Sequence, residues 1–151
     1  MIRLSRMADY GVVVMTFMAM RARQTQTTHQ VAQATGLSEA TVGKLLKVFA
    51  RDGLLESHRG VHGGYELTRH AEDISVADIV TAVEGPIALT LCVDEHPGNC
   101  DVEALCPMRG GWNRINNALR EALEGVSLAA MAFPELPPLA ALSAGDARTA
   151  S

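Results

Sequence analysis

Apolar residues recur at three- and four-residue spacing along much of the chain, and each such stretch is bounded by residue types that start or stop helices. Met7, Tyr10, Val14, Phe17, Met18 and Met20 fall on one helical face behind Ser5, an N-capping residue type, which predicts a first helix over residues 5 to 22. Thr25 to Thr28 is a polar break. Val31 and Ala32 then mark a short helix ending at Gly36, a residue suited to a left-handed C-cap. Ser38 is placed to cap a third helix whose Val42, Leu45, Leu46 and Phe49 share a face, and Gly53 closes it. There the period changes: Leu54–His58 and Tyr65–Thr68 read as two short strands joined by the turn residues Arg59-Gly60-Val61-His62-Gly63-Gly64. Ser75 opens a fourth helix, with Val76, Ile79, Val80 and Val83 on its apolar face, and Gly85-Pro86 ends it.

Residues 29 to 46 thus form a helix, a glycine-containing turn and a second helix, the spacing of a helix-turn-helix, although a plain helical hairpin gives the same pattern. A basic, Gly-rich hairpin directly behind it makes the combination a winged helix, whose hairpin tip can reach the DNA backbone or minor groove beside the recognition helix. The expected fold is mainly α with a small β-hairpin. Residues 1–85 form the winged helix-turn-helix domain, 86–110 a cysteine-containing loop, 111–133 a long helix with Ile115, Leu119, Leu123 and Val126 in one stripe, and 134–151 a disordered tail rich in Pro, Ala and Ser. The stripe on the long helix needs a partner, and a second copy of the chain supplies one, making a homodimer.

At 151 residues the chain holds one small domain plus an appendage. No apolar run approaches the roughly 18 residues that cross a membrane, and the N-terminus has neither the apolar core nor the cleavage site of a secretory signal, so the expectation is a cytoplasmic protein with no membrane partner. The net charge of -4 hides an asymmetry: residues 1–72 carry nine Lys/Arg against six Asp/Glu, and residues 73–151 carry four against eleven. The N-terminal half can therefore face phosphate. Ser38, Glu39, Thr41 and Lys44 on the recognition helix and Arg59 in the wing are the candidate contacts to a double-stranded operator. Glu39 reads equally as a helix-starting carboxylate, and Lys44 as part of a solvated face.

Cys92, Cys100 and Cys106 lie within 15 residues among Pro, Gly, Asn and acidic side chains. An odd count in a reducing compartment argues against a disulfide framework. Three thiols on so short a segment suit an iron-sulfur cluster or structural zinc, each lacking one ligand, or a thiol-disulfide switch; small buried hydrophobes are the fourth reading. A metalloenzyme would need an acid/base pair nearby, and only Asp94, Glu95 and His96 are at hand.

Arg3-Leu4-Ser5 with Asp9-Tyr10-Gly11, the wing Arg59 to Tyr65, the Val76-Ala77-Asp78-Ile79 helix and the three-cysteine segment together resemble the iron-sulfur winged-helix regulators that include IscR and NsrR. The likeness spans about residues 2 to 130, and Leu105-Cys106-Pro107-Met108-Arg109-Gly110-Gly111-Trp112 looks most like the branch that regulates SUF cluster-assembly genes. The resemblance implies no enzyme. It implies a transcription regulator, a repressor of cluster-assembly or stress genes that senses through a [2Fe-2S] or [4Fe-4S] cluster; zinc or a thiol switch on the same fold is the alternative. It makes Cys92, Cys100 and Cys106 three of the ligands. For the fourth, IscR-like members use a histidine where this chain has Arg109, a side chain that stays protonated and cannot ligate iron. NsrR-like members use an aspartate of the other subunit's first helix, and Asp9 stands at the matching position; His96 is the other candidate. The segment between Cys92 and Cys100 is longer than in IscR and NsrR, which leaves the cluster type open.

Overall fold

The chain was described with a computed structural model, which covers residues 3–90, 93 and 107–134. Ser5 caps as its residue type predicts: its Oγ accepts a hydrogen bond from the Ala8 amide at 3.1 Å, and α1 (Arg6–Met20) starts there. The next helix, α2 (Thr28–Thr35), begins earlier than the Val31-Ala32 pair suggests. Thr27 and Gln30 satisfy each other's amides reciprocally at 3.2 and 2.8 Å, and this capping box sets the start. Gly36 ends α2 in the left-handed region at φ 73°, as expected. Ser38 opens α3 (Glu39–Arg51), and Val42, Leu45, Leu46 and Phe49 form its buried face.

The wing consists of β1 (Leu55–His58) and β2 (Gly64–Leu67), paired antiparallel with Leu55 opposite Leu67 and His58 opposite Gly64. A third backbone segment extends it. Gln26, in the α1–α2 connection, exchanges both backbone hydrogen bonds with Tyr65, at 2.9 and 2.8 Å, and this ties the wing to the root of the helix-turn-helix. Gly64 makes that approach feasible: its φ is +151°, and a Cβ there would meet the Gln26 carbonyl oxygen at 2.5 Å.

A short 3-10 turn, Ala71–Asp73, leads to α4 (Val76–Glu84), opened by a capping box between Ser75 and Asp78. Helix α1 packs on α2, α3, α4 and a short C-terminal helix, so the core surrounds it: Val14, Met15 and Met18 of α1 are almost wholly buried, with Phe49 of α3, Ile79 of α4 and Leu128. Met15 lies outside the apolar face read from the sequence, and Met20, placed on that face, is exposed.

The C-terminal part differs from the single helix expected over 111–133. It forms two helices, α5 (Arg109–Glu124) and α6 (Leu128–Ala132). The break has a cause in hydrogen bonding: the Leu128 amide donates to the Ile74 carbonyl at 2.7 Å, and the Val76 amide donates to the Val126 carbonyl at 2.9 Å. Ser127 caps α6, whose Leu128 and Ala132 enter the core. Gly125, a weak helix former, lies where the direction changes. The winged-helix body is therefore closed by α6, and α5 packs on it chiefly through α4.

Gly64→Ala is expected to destabilise the chain by about 2–3 kcal/mol in denaturant titration, from backbone strain plus overlap with Gln26. Gly36→Ala, at a position with open space around it, is expected to cost about 1 kcal/mol.

Candidate nucleic-acid interface and the root of the cysteine segment

With its apolar face in the core, α3 turns Ala40, Lys44 and Lys47 outward, and Gly43 is half-buried between them. Ser38, Glu39 and Thr41 gather at its first turn. The Ser38 Oγ accepts from the Thr41 amide at 3.2 Å and donates to Thr41 Oγ1 at 2.9 Å, so these two hydroxyls build the cap as well as facing outward. Glu39 has a partner that the sequence reading did not name: His29, in the first turn of α2, donates from Nδ1 to Glu39 Oε1 at 2.6 Å. The two side chains are 62% and 61% exposed, so solvent screens the pair and its worth to stability is small.

Arg59 starts the wing loop between His58 and Gly64 and is exposed, and Val61 at the tip is 99% exposed. An apolar side chain standing wholly in solvent at a wing tip is of the kind that enters a minor groove or lies along the DNA backbone. Among the described residues no ion pair engages Lys44, Lys47 or Arg59, which leaves three cations for phosphate. The predicted contacts thus share two surfaces, the start of α3 and the wing.

Cys92, Cys100 and Cys106, with Asp94, Glu95 and His96, lie outside the described residues. Asp9 is described: it is exposed in the first turn of α1 and, with Leu4, Val12, Val76, Leu123, Val126 and Met131, lines a depression of about 280 Å³ at the C-terminal end of α5. Among the described residues no three of His, Cys, Asp or Glu come together as a metal site.

The segment leading toward Cys92 is anchored by a residue that sequence reasoning missed. Asn116, on α5, is 3% exposed; its Oδ1 accepts from the Leu89 amide at 3.0 Å and its Nδ2 donates to the Ile87 carbonyl at 2.9 Å. One side-chain amide thereby replaces both partners of a backbone segment that belongs to no helix or strand. A polar residue amid the Ile115-Leu119-Leu123 spacing is the signal that could have found it. Elsewhere α5 is open: Trp112 is 38% and Ile115 50% exposed, and Val126, Met131 and Phe133 after it are exposed as well. No helix among the described residues is long and apolar enough to cross a membrane.

A family model described as Rrf2, iron-dependent transcriptional regulator, matches residues 4–133. The rrf2 protein of Nitratidesulfovibrio vulgaris is 34% identical over 128 residues, 84% of this chain and 85% of that protein. Among solved structures, CymR, titled the global cysteine regulator of B. subtilis, superposes with a TM-score of 0.70 at 28% identity, covering 90% of this chain and all of that one. IscR of T. potens superposes with a TM-score of 0.64 at 26% identity, covering 99% of this chain and 93% of that one.

Asn116→Ala leaves a partly buried carbonyl and a partly buried amide without their side-chain partner, an expected loss of about 1–2 kcal/mol in urea unfolding. Limited proteolysis should show faster cleavage between Ile87 and Pro107 in the variant, because the segment loses its anchor.

Proposed function

The chain belongs to the Rrf2 family of winged-helix transcriptional regulators, and on that premise we propose that it is a cytoplasmic homodimer that represses cluster-assembly or stress genes and senses through an iron-sulfur cluster on Cys92, Cys100, Cys106 and Asp9 of the partner subunit. The observation that carries the proposal is the depression that Asp9 shares with Leu123 at the C-terminal end of α5. With 16 residues, α5 is about 24 Å long. Asp9 lies beside Leu123 and Val126 at its C-terminal end, whereas Cys106 precedes its first turn and is only two residues from Met108. Within one subunit Asp9 thus lies at the end of α5 opposite to the one at which the sequence runs in from Cys106. Antiparallel pairing of two α5 helices through Trp112 and Ile115 brings each Asp9 toward the other chain's Cys106, which is why the shared site and the dimer are one proposal.

The donor chemistry fits: three thiolates are the ordinary ligands of iron-sulfur clusters, and a carboxylate supplies an oxygen for the remaining position. When bound, such a cluster supplies sensitivity to oxidants, nitric oxide and iron supply. The chain's own contribution is mechanical. Asp9 stands on α1 two residues before Gly11, where Phe49 of α3 and Val83 of α4 approach the α1 backbone, so a tie on Asp9 bears on the helix that seats the recognition helix. Asn116 holds the other end of the cysteine segment on α5.

Zinc or a reversible thiol switch on the same cysteines is the second reading, favoured by a likeness to CymR as good as that to IscR. Anaerobic purification decides between them. Wild type is expected to be coloured, with iron and sulfide in equal amounts, and alanine at any of the three cysteines abolishes the visible absorption and changes operator affinity by about 5- to 150-fold. Colourless protein carrying zinc supports the second reading. Asp9→Ala is expected to yield a cluster that is lost faster in air; a cluster of unchanged lifetime removes Asp9 from the site.

Lys44→Ala and Arg59→Ala should each lower the slope of log affinity against log salt by about 1.8, the signature of one phosphate contact per subunit of the dimer, when affinity is measured by fluorescence anisotropy across a salt series.

A further inference from the structure

Glu39 is an odd residue for its place. It is the first residue of α3, the end of a recognition helix that meets base edges, and a carboxylate there repels the DNA backbone. Its neighbours do not screen it: Ala40 is small, and Gly43 presents no side chain. Helix-dipole stabilisation accounts for an acidic residue at this end of α3, but not for the second feature, the hydrogen bond from His29 Nδ1 to Glu39 Oε1 at 2.6 Å, which reaches across from α2. A free glutamate would spread over many rotamers. With Oε1 held, Oε2 is the oxygen left to meet DNA.

An ionised carboxylate only accepts hydrogen bonds. In the major groove the donors are the cytosine N4 and adenine N6 amino groups. Adenine sets the acceptor N7 beside its amino group, which opposes a carboxylate, whereas cytosine sets a C–H there. We propose that His29 is a positioning residue that holds Glu39 to read a cytosine in each half of the operator. The inference rests on the DNA-binding reading above and goes beyond it in naming the base and the residue that makes its recognition sharp.

The test uses the full chain, purified anaerobically. Wild type is first allowed to select sites from a randomised double-stranded library. Competition titrations against every single-base variant of the selected site then follow for His29→Ala, His29→Asn and Glu39→Gln. One position per half-site is expected to prefer cytosine by on the order of tenfold in wild type. His29→Ala should bring that preference to within about twofold, with the other positions and the melting temperature unchanged, because an exposed pair adds little stability. Asn places an N–H near the site of Nδ1, so His29→Asn should restore most of the preference. Glu39→Gln should shift it toward adenine, whose N6 and N7 suit an amide. A merely structural clip between α2 and α3 predicts something else: His29→Ala weakens all sequences equally and lowers the melting temperature. That result, or an undiminished cytosine preference in His29→Ala, overturns the proposal. Failure of wild type to enrich any sequence overturns the DNA-binding reading itself and this inference with it.

Discussion

The recognition helix α3 is seated on α1 at Gly11. At that position the Phe49 ring of α3 and the Val83 and Ile79 methyls of α4 come so near the α1 backbone that a Cβ would stand 3.1 Å from Phe49 and 3.2 Å from Val83. Phe49 is fully buried in the close-packed core. Three helices therefore share one crossing, and the recognition helix has a fixed bearing relative to α1. Glycine in a helix interior lowers helix stability by about 1 kcal/mol, and here the close packing it permits offsets that cost. Since Ser5 caps the helix that carries Asp9, and the Ser5 amide donates to the Glu84 side chain at the end of α4, the N-terminal end of α1 is tied to the same junction.

How much of this was legible follows from what each residue type can signal alone. Ser5, Ser38 and Ser75 are strong caps whatever surrounds them, and the structure shows all three capping. The strands were legible because their turn residues have few uses elsewhere. Where a tertiary bond decides, the pattern misleads. The stripe Ile115-Leu119-Leu123-Val126 continues past Glu124 without a flaw, yet the chain turns at Gly125 because Ile74 and Val76 claim Leu128 and Val126 by backbone hydrogen bonds from far away in sequence. Met15 is buried although it lies off the apolar face, because α1 is surrounded and has more than one inward side.

The candidate site divides in the same way. Basic and hydroxyl residues at the start of a recognition helix announce themselves, whereas the partnership of His29 with Glu39 depends on how α2 and α3 meet, which no spacing rule encodes. The hold of Asn116 on Ile87 and Leu89 likewise joins residues 27 and 29 positions away. The three cysteines were conspicuous by residue type alone and Asp9 of the other subunit came from the family resemblance, to which the length of α5 and the end of it beside Asp9 add a geometric reason.

The turn at Gly125 has a consequence for how relatives of this protein coexist. It separates a short helix buried in the body from a longer one displaying Trp112 and Ile115. With α5 as the proposed pairing face, the residues that choose a mate are physically apart from those that keep the reading head folded. A duplicated copy of such a gene can acquire a new mating surface by a few changes on α5 while its core stays intact. Two regulators descended from one parent can then share a cell without forming mixed pairs.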